Sequence, residues 1–195
     1  MVKSAKFELS IADPLKQSPS KKLPQFAFVG RSNVGKSSLL NMLVNQKKLA
    51  VTSSTPGRTR LINFFNVHLS PDTEIYLVDL PGYGFAAASK QATGGWNESI
   101  GHYLTREKNL KRVFVLIDIR HKPTDLDLQM LGFLQSNDIP FSIIATKADK
   151  LSRPQVQHAV QTLTSAIGVA RGDIIVTSAS NAQGRSEVLG LLTKE

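Results

Sequence analysis

Short apolar runs alternate with segments of helical period from Gln25 to the end of this chain. QFAFV, RVFVLID, PFSIIAT and DIIVTSA are continuous apolar runs of the kind a parallel sheet buries on both faces. INFFNVHL and EIYLVDL, separated by SPDT, predict two more strands joined by a tight turn and paired antiparallel. A helix is expected from the lysine-containing turn after Val29 to about Asn45. Thr124 is placed to cap a helix over DLDLQMLGFLQ, and Ser152 with Gln155 reads as a capping box opening a helix that ends near Ile167. Six strands interleaved with helices predict the α/β class. Ahead of them, residues 1–24 carry five lysines and three prolines around the alternating FELSIAD, which predicts a loosely packed basic arm over residues 1–23.

Composition narrows the function classes. At 195 residues and 41% hydrophobic, the chain suits one domain with a substantial core. No window approaches the roughly 18 continuous apolar residues of a membrane span. The N-terminus MVKSAKFELSIADP lacks the apolar stretch of a signal peptide, so a cytoplasmic, membrane-free location is expected. The absence of cysteine excludes disulfides, thiolate metal sites and cysteine catalysis. A net charge of +9 suits either a solvated basic surface or the attraction of a polyanion such as RNA.

The most specific chemistry is GRSNVGKSS, between the first apolar run and the first helix. GxxxxGK[ST] in that context is a phosphate-binding loop, here Gly30, Arg31, Ser32, Asn33, Val34, Gly35, Lys36 and Ser37. The two glycines allow successive N–H groups to converge on phosphate oxygens, and the helix N-terminus adds partial positive charge. Lys36 is expected to reach the β- and γ-phosphates, and the Ser37 hydroxyl to ligate magnesium.

Later motifs choose among phosphate-loop enzymes. DLPG places Asp79, Leu80, Pro81 and Gly82 at a strand end; the aspartate can hold magnesium through water and the glycine N–H can sense a γ-phosphate. TKAD places Thr146, Lys147, Ala148 and Asp149 at another strand end. A carboxylate there accepts two hydrogen bonds from guanine, a donor pair adenine lacks, while the lysine stem covers the base. TSA, with Thr177, Ser178 and Ala179, is placed to offer backbone N–H groups to the guanine carbonyl. TPGRTR precedes the INFFNV strand, and Thr59 is the candidate second magnesium ligand in a loop that orders with the γ-phosphate.

These stretches, together with LVDLPGYGFA, WNESIGHYL, VLIDIRHKPTDLD and TKADKLS, resemble the EngB (YihA/YsxC) family of bacterial GTPases over residues 24–193. The resemblance implies a single G domain over residues 24–195 behind the arm. Its fold would be the Ras-like three-layer phosphate-loop type: a mostly parallel six-stranded sheet with one antiparallel strand and helices on both faces. It further implies GTP and GDP binding, magnesium-dependent hydrolysis that is slow without a partner, and a monomer. The implied partners are the large ribosomal subunit and its rRNA, with a role in normal septation and cell division. Nucleotide contacts carry over to Gly30–Ser37, to Gly57, Arg58, Thr59, Arg60 and Leu61, to Asp79–Gly82, Thr146–Asp149 and Thr177–Ala179. Lys36, Thr59 and Gly82 carry over as the catalytic set, and Ser37 and Thr59 as metal ligands. SNAQGRS departs from the lysine-bearing loop frequent in the family.

Several residues keep two readings. Tyr83 stands where many GTPases orient water with a glutamine, and an aromatic ring supplies no such orientation. Asn33 either brings a potassium ion to the α- and γ-phosphates or braces the loop. Arg58 and Arg60 face the phosphates, or rRNA and solvent. Trp96 and Tyr103, spaced i, i+7, suit core packing more than base stacking. The four histidines share no spacing that suggests a metal site. The function classes in contention are a GTPase switch, an ATPase or small-molecule kinase, and a basic RNA-binding scaffold. TKAD and the lack of an arginine-rich lid disfavour the second; Lys36, Ser37, Thr59 and Asp79 disfavour the third.

Overall fold

A computed structural model of the chain describes residues 2–50, 61–70, 72–83 and 98–193. The alternating pattern becomes seven strands and five α-helices: β1 (Ser4–Ile11), β2 (Gln25–Gly30), α1 (Lys36–Val44), β3 (Ile62–Ser70), β4 (Thr73–Asp79), α2 (Glu98–Arg106), β5 (Leu110–Asp118), α3 (Asp125–Ser136), β6 (Phe141–Thr146), α4 (Arg153–Ile167), β7 (Ile174–Val176) and α5 (Arg185–Leu191). The sheet order is β1-β3-β4-β2-β5-β6-β7. β3 pairs antiparallel with both β1 and β4, and every other pairing is parallel.

The expected six strands are therefore corrected to seven. The alternating segment read as part of a loose arm is an edge strand, from Ser4 opposite His68 to Ile11 opposite Ile62. Its alternation is physically meaningful: Ile11 is buried at one end, and Phe7 lays its ring edge-on against Phe65 with centroids 6.0 Å apart. Lysines around it hide this pairing because the partner strand lies far along the chain.

Each sheet face carries its own apolar cluster, which makes three layers. On one face, Ala27, Val29, Val113 and Val115 pack with Ile100, Tyr103 and Leu104 of α2, Met130 and Leu134 of α3, and Val160 and Leu163 of α4. On the other, Phe28 and Phe114 stack at 4.9 Å and pack with Leu39, Leu40 and Leu43 of α1 and Val188 of α5. β2 is buried along its whole length, which explains its unbroken apolar run. Tyr103 sits in the core as expected, its hydroxyl donating to Gln25 Oε1 at 2.8 Å; Trp96 lies outside the described residues.

Local caps follow the sequence. Ser152 N–H donates to Gln155 Oε1 at 2.8 Å at the start of α4, and Thr124 N–H donates to Asp127 Oδ2 at 2.8 Å at the start of α3. Within α1, buried Asn41 acts as a surrogate strand partner for the chain beyond the helix: its Nδ2 donates to Ala50 O and its Oδ1 accepts from Ala50 N–H, both at 2.8 Å. Asn41→Ala strips both groups of their partner, so we expect a loss of about 2 kcal/mol in unfolding free energy. It is read as a lower urea midpoint at unchanged slope.

Candidate functional site

The C-terminal ends of β2, β4, β6 and β7 bring the sequence motifs to one edge of the sheet, where doubly wound α/β folds bind ligands. Gly30 ends β2 so close to β5 that a Cβ there would meet Leu116 O at 2.8 Å. The loop then passes Asn33 at φ +63° and Gly35 at φ +106°, left-handed conformations that turn the backbone inward. α1 starts at Lys36 with no side-chain cap, so its first-turn N–H groups face the loop's concavity.

Lys36 and Asp79 meet here. The ammonium of Lys36 hydrogen-bonds Asp79 Oδ1, and both side chains are largely shielded from water. A phosphate cradled by the loop would compete with Asp79 for Lys36. Leu80 N–H donates to Phe28 O at 3.1 Å, extending the β4–β2 ladder past Asp79. Beyond it, Gly82 lies against the phosphate loop, where an added Cβ would come within 3.2 Å of Ser32 N and Oγ.

The guanine-reading motif is tied to the phosphate loop by side chains. Thr146 Oγ1 donates to Val34 O at 2.7 Å. Lys147, at φ +65°, donates from Nζ to Asn33 O at 2.7 Å and pairs with Asp118 Oδ2 at 2.9 Å. Its stem passes Gly35, with Cε 3.7 Å from where a Cβ would stand. Burial pushes the Asp118 carboxyl up, but hydrogen bonds from Arg120 and Lys147 outweigh it and hold it well below the usual carboxylate range.

Asp149 is anchored from the last strand's loop. Ser178 Oγ donates to Asp149 Oδ1 at 2.8 Å and Lys150 Nζ lies 3.3 Å from Oδ2. The Ser178 bond, opposed by burial and aided by Lys150, keeps the Asp149 carboxyl below its ordinary value, so it is a charged acceptor at neutral pH. Ala148 N–H donates to Thr177 O and Thr177 N–H to Ala145 O, at 3.1 and 2.7 Å, which sets TSA beside TKAD. A cavity of about 860 Å³ opens along Gly35, Leu39, Thr146, Lys147, Asp149 and Ala179.

Of the expected site residues, Gly30–Ser37, Asp79–Gly82, Thr146–Asp149 and Thr177–Ala179 are gathered. Leu61 is exposed just before β3. Gly57, Arg58, Thr59 and Arg60 lie outside the described residues. Sequence reading missed Asp118, whose signal was an aspartate closing an apolar strand in IDIRH. It also missed the partner of Tyr83: the ring is buried and its hydroxyl donates to Asp127 Oδ1 at 2.7 Å, so the side chain supplies no water-orienting group. Among the described residues no three His, Cys, Asp or Glu side chains gather as a metal site, and no helix is long and apolar enough to cross a membrane.

The family model of 50S ribosome-binding GTPases matches residues 25–147. The probable GTP-binding protein EngB of Pelotomaculum thermopropionicum is 45% identical over 192 residues, covering 98% of this chain and 94% of its own. That of Pelobacter propionicus is 49% identical over 186 residues, covering 94% and 90%. Among solved structures, a probable GTP-binding protein EngB superposes with a TM-score of 0.62 at 23% identity, covering 88% of this chain and 100% of that one. A variant of Aquifex aeolicus Era bound to GDP and tetrafluoroaluminate gives 0.65 at 20%, covering 88% and 56%. With 45 and 49% identity over nearly the whole chain and the family model matching most of it, the chain belongs to the EngB family of GTP-binding GTPases.

Proposed function

We propose that this GTPase is a switch in assembly of the large ribosomal subunit, with a role in normal septation and cell division. The observation that carries the reading is a guanine-reading phosphate site on a chain of net charge +9. Net charge of that sign favours approach to a polyanion, and the matching family model bears a 50S ribosome-binding description.

Ser37 in the first turn of α1 and Asp79 at the end of β4 offer hard oxygens, which suits magnesium shared with phosphates. Ser37 and Thr59 would hold the ion and Asp79 would orient its water. Bound there, magnesium neutralises charge developing on the phosphates. The chain's own part is positional: the loop N–H groups and Lys36 bind phosphate, Asp149 selects the base, and Gly82 meets the γ-phosphate. With Tyr83 turned into the core, the side chain directly after Gly82 is not placed to orient water. Hydrolysis is then slow alone and is raised by the ribosomal partner in the cytoplasm.

Asp149→Asn is expected to exchange GTP preference for xanthosine triphosphate. Competition binding should show a GTP loss of about 1 to 3 kcal/mol, the scale of a donor left without its acceptor. Thr59→Ala should keep GDP binding and lose the GTP response; hydrogen exchange over residues 50–62 and 82–95 then no longer differs between GDP and a GTP analogue. Sedimentation with purified subunits should give cofractionation with the large subunit in the GTP-analogue form, weaker in GDP and declining with salt. Equal binding to both subunits and to unrelated RNA in either nucleotide state would refute the ribosomal assignment.

A further inference from the structure

Tyr83 is 2% exposed, its ring lying in the apolar cluster beneath α2 and α3. Its partner Asp127 is equally buried, at 2%. Asp127 Oδ1 accepts the Tyr83 hydroxyl at 2.7 Å, while Oδ2 accepts Thr124 N–H at 2.8 Å and the Thr124 hydroxyl at 2.7 Å. A buried carboxylate persists only where its oxygens are answered. The cap of α3 answers one oxygen and Tyr83 the other. Burial, with the Asp127 charge beside it, raises the Tyr83 hydroxyl far above its ordinary range, so it remains a donor at any working pH.

The backbone of the same tyrosine is bonded to the phosphate loop. Ser32 N–H donates to Tyr83 O at 3.1 Å and Tyr83 N–H donates to Gly30 O at 3.2 Å. Gly82, the residue before these attachments, lies against Ser32. A second cavity, of about 190 Å³, separates Arg31 and Ser32 from Asp127 and Arg120, so α3 stands directly behind the phosphate loop. β5, which leads by a loop into α3, ends at Asp118, which holds Lys147 of the guanine-reading motif.

We propose that Asp127 is a positioning residue for the γ-phosphate response: through the Tyr83 hydroxyl it fixes Gly82 against the phosphate loop, where its N–H is preorganised for a triphosphate. The inference rests on the GTPase site and is independent of the ribosomal partner. Only the triphosphate reaches Gly82, so the bond acts on GTP and leaves GDP alone. This differs from a purely structural bond, whose loss would weaken both nucleotides together.

The test uses the full chain with GDP and a non-hydrolysable GTP analogue. Tyr83→Phe keeps the ring and removes the bond; GTP-analogue affinity and kcat are expected to fall about five- to tenfold, the scale of one ordinary intramolecular hydrogen bond, with GDP affinity within about twofold. Tyr83→Phe combined with Asp127→Asn should lose no more selectivity than the worse single variant, because both cut one link. Thr124→Val removes a bond to the same carboxylate on the cap side; it should lower thermal stability without changing the GTP-to-GDP affinity ratio. The proposal is overturned by parallel losses for both nucleotides in Tyr83→Phe, by no loss for either, or by an equal change of ratio in Thr124→Val. Large-subunit sedimentation of the unmutated protein, run alongside, reports on the ribosomal reading separately.

Discussion

The site depends first on the Lys147 ammonium, held between the Asn33 carbonyl at 2.7 Å and the Asp118 carboxylate at 2.9 Å. The phosphate loop follows β2 and the guanine-reading loop follows β6, and these strands are not neighbours; β5 lies between them and ends at Asp118. Asp118 is thus the post on which a lysine from one side is fastened to a carbonyl from the other. The post works because Arg120 and Lys147 keep it ionised despite partial burial. A neutral carboxylic acid there would loosen the distance between the base pocket and the phosphate cradle, the span a bound nucleotide must match.

On the triphosphate side the constraints are different in kind. Asp79 is held by an ion pair, whereas Tyr83 is held by backbone bonds and a buried hydroxyl. The first is exchangeable, since phosphate and magnesium are chemically competent replacements for each partner. The second has no such competitor and lies in the apolar core. The segment joining them is three residues long in sequence terms, Leu80 through Gly82, so the response to a γ-phosphate is confined to a short stretch between a labile anchor and a fixed one.

Features whose physics is local were legible from the residues. The caps Thr124–Asp127 and Ser152–Gln155 span three positions and formed as read, and the phosphate loop, DLPG, TKAD and TSA each occupied the strand end at which they were placed. Features that needed a distant partner were not. β1 was obscured because its alternation means little until Ile62–Ser70 is known to lie beside it. Tyr83 was read only for what it cannot do, since its bond to Asp127 crosses 44 positions. Asp118 belonged to a recognised motif, but its use becomes visible only when β5 is seen between β2 and β6.

The seventh strand has a consequence for how the protein is made. β3 and β4 form a hairpin from nearby sequence, and without β1 the backbone edge of the apolar strand INFFNVHL would be left unpaired. Exposed strand edges of this character invite pairing between chains. β1 covers it with a strand bearing Lys6 and Glu8, interrupted by a register irregularity between Phe7 and Leu9 that spoils its outer side as a template. Because β1 precedes β3 in the chain, it is already present to pair with that edge as soon as β3 forms.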